Sequence, residues 1–179
     1  MLNVLQKLPP RQFERVDMKA RQMPLQDSYA ENAGEAIVID HGSTSSKVVE
    51  ATHPLQTAVT FCNRNPVEIP VGVHSKVGGD SDNPTPGDIL CGAIAACLDS
   101  TIRIISNRFG LKLKLLEIDV RGTVDVRGTL RVDKSVPVGF QRFDVDVRIK
   151  PAGFVPGRML DRLLEGAETS CIVIQTVKS

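Results

Sequence analysis

Among the side chains able to act as nucleophiles, four cysteines stand out: Cys62, Cys91, Cys97 and Cys171. The thiolate is the reactive form, so each must be judged by what could ionise it. Cys97 lies near the end of the uncharged run Ile89-Leu-Cys-Gly-Ala-Ile-Ala-Ala-Cys-Leu. It lies beyond the first turn over which a helix dipole acts, so a reactive Cys97 needs positive charge from elsewhere. The alternative is a small apolar filler at a tight helix crossing, because free cysteine is among the most buried residue types. Cys91 precedes it by a rotation of roughly 240° at 3.6 residues per turn, so the two thiols occupy different faces. Cys171 stands where a helix gives way to the closing segment. It could bond to Cys97 if the fold brings their Cβ atoms within about 4.5 Å. Cys62, in Phe-Cys-Asn-Arg, reads as structural or exposed.

No Cys-x-x-Cys or paired histidine spacing occurs, and His41, His53 and His74 are scattered. Neither a metal site nor a cofactor is expected. Four cysteines in 179 residues are too few for a disulfide framework. The 22 Lys plus Arg against 21 Asp plus Glu give a net charge of +1, and one Tyr with no Trp offers little for stacking on bases. Nucleic acid is therefore excluded as an expected partner. The start lacks a basic stretch followed by an apolar run, and no later segment approaches the roughly 18 apolar residues of a membrane span. The expectation is a cytoplasmic protein with no membrane partner.

These candidates must be positioned by the elements around them. Residues 1–34 are polar, broken by Pro9, Pro10 and Pro24, and read as an N-terminal arm with one helix from about Arg11 to Gln22. From Glu35 short β-type runs follow at 36–39, 47–50, 57–62 and 67–73, separated by turn formers, as in antiparallel hairpins. A loop dense in Gly, Asp and Pro then feeds a helix with Thr85 as cap, Pro86 in the first position and Asp88 at the third. Gly110 is its natural stop. Its first half is apolar all round, which predicts burial on all sides. After Gly110 the period becomes two at 116–127 and again at 143–149, so one face is buried and one wet. Pro156 opens a helix with Met159, Leu160, Leu163, Leu164 and Ala167 at helical spacing, and residues 171–177 read as a final strand. The fold class is α+β, with antiparallel sheets against a long central helix.

The segment from Asn83 to Arg103, with an acidic residue at the helix start and a cysteine after an Ala-rich run, strongly resembles the central helix of the OsmC/Ohr family. Val136-Pro-Val-Gly-Phe-Gln followed by an alternating strand, and Cys171-Ile-Val-Ile-Gln-Thr-Val after an acidic helix end, resemble two further family segments. The resemblance covers about residues 68–179 and leaves 1–34 outside it. The organisation it implies is an arm (1–34) and an OsmC-like domain (35–179) in an intertwined homodimer with sites at the subunit interface.

The activity it implies is that of a thiol-dependent peroxidase reducing organic hydroperoxides. Cys97 would become a sulfenic acid, Cys171 would resolve it to a disulfide, and an external dithiol would reset the pair. Asp88 would orient an arginine that holds the thiolate. It is Asp where the family commonly has Glu, and it lies about 13 Å along the helix from Cys97 at 1.5 Å per residue. It would have to act from the partner subunit or through an intermediary. Its alternative role is helix capping. Arg64 and Arg103 are candidates for the arginine, but no motif places it. The rival readings are an OsmC-like protein that binds a small apolar ligand without peroxide chemistry, and a purely structural protein.

Overall fold

The computed structural model describes residues 14–178. Residues 1–13 of the expected arm, with the predicted helix start at Arg11, lie outside that span. The helix α1 runs Met18–Glu31, capped by Asp17, whose side chain accepts from the Ala20 N–H at 3.0 Å. It continues past Gln22 and through Pro24, which was expected to break it. Proline removes one backbone donor well past the first turn. Contacts with the C-terminal end of the next long helix compensate: Asn107 accepts from the Met18 N–H and donates to the Val16 carbonyl, both at 2.8 Å, and Arg108 donates to Gln22 Oε1 at 2.9 Å.

Three short strands, β1 (Gly42–Thr44), β2 (Gln56–Phe61) and β3 (Val67–Gly72), form an antiparallel sheet in that order. Phe61 pairs with Val67 and Thr57 with Val71 across the β2–β3 hairpin. Two β-type runs predicted here are not strands. Residues 33–36 make a 3-10 turn, and Ile37, Val38 and Ile39 follow it fully exposed. Residues 47–50 belong to turns, because Ser45 takes the N–H groups of Lys47 and Val48 and so offers the backbone a local alternative to pairing.

Helix α2 spans Pro86–Arg108 as the capping residues dictate, and Gly110 closes it with φ +67°, a conformation costly for any residue with a Cβ. The long strands β4 (Leu113–Thr123) and β5 (Arg142–Pro151) pair antiparallel, with Ile118 opposite Val147 and Val120 opposite Val145. The alternation at 124–127 does not extend β4. Asp125 accepts from the Arg127 N–H at 3.0 Å and starts the single turn α3 (Val126–Thr129) instead. Helix α4 (Gly157–Ser170) buries Leu163 and Ala167.

The predicted final strand is a helix, α5 (Ile172–Lys178). Cys171 and Ile174 are buried while Ile172 is exposed, a spacing of three that a helix satisfies and an alternating strand would not. The core is a row on α2, Ile94, Leu98 and Ile102, closed by Leu163 and Ala167 of α4, by Cys171 and by Ile174 of α5, with β4 and β5 laid against it. By length and composition α2 could cross a membrane, but it packs here against α4 and β4. Within one chain it is not buried on all sides as predicted: Gly92, Ala93 and Ala96 remain exposed.

Candidate functional site

The crossing of α2 with the α4–α5 junction brings Cys97 and Cys171 together, although they are far apart in sequence. Cys171 is the last stop of α4 and the residue before α5, and no part of it reaches solvent. Cys97 is half-buried at the edge of the same core. Both are free thiols packed into the same cluster, close enough for Cys97 to perturb the Cys171 thiol. Burial pushes the Cys171 thiol above its ordinary range, and the neighbouring Cys97 adds to the shift. The backbone N–H groups of Ile174 and Val173 pull the other way. Cys171 is therefore held as a neutral thiol at neutral pH, within reach of a more accessible sulfur.

Asp88 is in the first turn of α2. Its carboxylate accepts from the Thr85 N–H and hydroxyl, each at 2.8 Å, while its own N–H donates to Thr85 Oγ1 at 3.3 Å. The Thr85 backbone bond, then the hydroxyl, lower its pKa, and His74 lowers it further by charge. This is a complete capping box, roughly 13 Å along the helix from Cys97. The chain alone does not bring Asp88 to the cysteine pair.

Asp88 faces an open cleft of about 1630 Å³ between β3, the start of α2 and β4, shared with Cys91, His74, Arg121 and Phe140. That volume exceeds the roughly 300–1,000 Å³ of small-ligand pockets. Cys91 lines this cleft while Cys97 packs toward the core, as their rotation around the helix requires. Cys62 contacts Ser43 Oγ at 3.3 Å and the Thr60 carbonyl at 3.4 Å.

Neither candidate arginine serves the pair within the chain. Arg103 donates to both oxygens of Asp99, at 2.5 and 3.2 Å. Arg64 sits in the exposed turn between β2 and β3. Among the described residues no cluster of three or more His, Cys, Asp or Glu side chains could hold a metal. What sequence reasoning missed is the helical turn that follows Cys171 and packs Ile174 beside it, hidden because 171–177 was read as a strand. The buried pair Cys171 and Ile174, three apart, was the available signal.

The family description "OsmC-like protein" matches residues 78–179, more than half of the chain, including α2, both long strands, α4 and both paired cysteines. The chain belongs to the OsmC-like family. Solved structures of similar fold include an OsmC-like protein from Vibrio cholerae, 11% identical with a TM-score of 0.64, covering 80% of this chain and 96% of that one. An OsmC-like protein from Mycoplasma pneumoniae is 12% identical with a TM-score of 0.61, covering 79% and 89%. An organic hydroperoxide resistance protein from Elizabethkingia anophelis is 15% identical with a TM-score of 0.57, covering 80% and 90%. At such identities the likeness is one of fold. No curated protein matches the chain with significance.

Proposed function

We propose that this OsmC-like protein is a thiol-dependent peroxidase of organic hydroperoxides, acting in the cytoplasm as a homodimer. The observation that carries the reading is the contact between a half-exposed Cys97 and a sealed, neutral Cys171. The Cys97 thiolate attacks the terminal peroxide oxygen, the O–O bond breaks, and the alkoxide leaves and takes a proton to become an alcohol. Cys97 is then a sulfenic acid. The Cys171 thiol, as its thiolate, attacks the Cys97 sulfur and expels hydroxide, which leaves as water with the Cys171 proton. The product is a Cys97–Cys171 disulfide, and an external dithiol returns both thiols and is itself oxidised to a disulfide.

The missing parts would come from a second copy. The cleft beside Asp88 is wide enough to admit a neighbouring chain, and the exposed Gly92, Ala93 and Ala96 allow close backbone approach. In that arrangement Asp88 of one copy orients the guanidinium that ionises Cys97 of the other. The engagement of Arg103 by Asp99 favours the competing reading, an apolar ligand-binding protein without peroxide chemistry. Counting free thiols before and after one equivalent of cumene hydroperoxide separates the two. Loss of two thiols per chain is expected; an unchanged count rejects the peroxidase.

A further inference from the structure

The closing helix α5 is at odds with its own composition. Ile172, Val173, Ile174, Thr176 and Val177 are β-branched, five residues of its seven, and such side chains lose rotamer freedom in a helix. Seven residues is about half the length at which isolated helices become even marginal in water. Tertiary contacts therefore hold it. Ile174 and Val173 pack into the core beside Cys171. Gln175 donates its side-chain amide to the Glu168 carbonyl at 2.9 Å, and Lys178 pairs with the Glu168 carboxylate, which ties the segment back onto α4. At its start Cys171, wholly buried, joins the segment to the same core.

Cys171 is fully covered where α4 passes into α5, so a dithiol cannot attack its sulfur unless something moves. We propose that α5 is a redox-released cover: joining Cys97 to Cys171 loosens it, and the loosening admits the reductant to the Cys171 sulfur. The inference rests on the pairing of Cys97 with Cys171, though not on which oxidant joins them. A disulfide holds its sulfurs about 2.05 Å apart, which draws the Cys171 sulfur toward Cys97 on α2. Drawn to Cys97, that sulfur leaves its packed position at the start of α5, so a helix already short and β-branched loses part of the packing that holds its first turn. The reductant's thiolate then attacks the exposed Cys171 sulfur and Cys97 leaves as a thiolate. The second thiol of the reductant closes its own disulfide and frees Cys171.

The test is hydrogen exchange followed by mass spectrometry on the full chain in three states: reduced, treated with cumene hydroperoxide, and treated with diamide. Diamide takes two electrons and two protons from a thiol pair. Peptide mapping identifies the linkage, and Cys97→Ser receives the same treatments. Amides of 172–178 are expected to exchange at least about tenfold faster in the linked chain than in the reduced one, with those of β4 unchanged and no effect in Cys97→Ser. Unchanged exchange in a chain whose Cys97–Cys171 bond is mapped overturns the cover, as does failure of diamide to form that bond. A bond formed by diamide but not by hydroperoxide rejects the peroxidase alone, and faster exchange in that linked chain still supports the cover.

A second measurement uses the exposed Ile172. From helix propensity, Ile172→Ala should slow reduction of the diamide-linked chain by dithiothreitol about twofold and Ile172→Gly should speed it about twofold. Equal rates in the two variants overturn the cover.

Discussion

The first turns and the middle of α2 carry the same chemical group in opposite surroundings. Near its start Cys91 looks into an open cleft with Asp88, whose carboxylate is spent on capping Thr85. Farther along, Cys97 turns inward to a thiol that has no contact with water. Residue type is identical, so the difference in chemistry comes from which side of the helix α4 and α5 cover. A cysteine in this fold becomes interesting through its neighbour across the crossing rather than through the helix that bears it.

Activity is the sharpest way to break this contrast. Cys97→Ser should abolish hydroperoxide turnover, a loss of at least about a hundredfold, whereas Cys91→Ser should leave it measurable. The reverse result in a steady-state assay would transfer the chemistry to the cleft end.

Stability tests the dry end next. Ser106 continues the buried row of Ile94, Leu98 and Ile102, is 2% exposed, and its hydroxyl has no hydrogen-bond partner among the described residues. Ser106→Ala should therefore stabilise the fold by about 1 kcal/mol in urea titration. Destabilisation would show that the hydroxyl is satisfied in solution.

The smallest effect belongs to the wet end. Because Thr85 and His74 hold the Asp88 pKa below its ordinary 3.8, the ionised carboxylate stabilises the fold fully above that value. The contribution disappears as pH falls through the lower folded-state value. Asp88→Asn should be the less stable chain near pH 7, by no more than a capping interaction, and the two should converge in strong acid. A constant gap between the two acid-unfolding curves would deny the carboxylate this role.

The start and stop of α2 were legible because Thr85, Pro86, Asp88 and Gly110 act through local backbone chemistry. So were β4, β5 and α4, whose apolar residues repeat with the period of their elements. Reading failed where local composition was overruled. At 36–39 and 47–50 β-type residues find no partner strand, at 124–127 Asp125 diverts the chain into a turn, and at 171–177 β-branched residues are made helical by packing on α4. Cys97 and Cys171 could be singled out by type and by family resemblance, but their contact depends on a helix crossing that no local pattern encodes. The guanidinium expected beside Cys97 was not legible at all, since the resemblance carries no motif for it.

Among the described residues the long sheet has two strands, so β4 and β5 each keep one flank of backbone amides and carbonyls without a strand beside it. Such a rim is a template for any extended peptide that meets it. In the proposed homodimer a second copy would shield that rim, and a single chain parted from it by dilution should then be a poorly soluble species that sticks to its own kind.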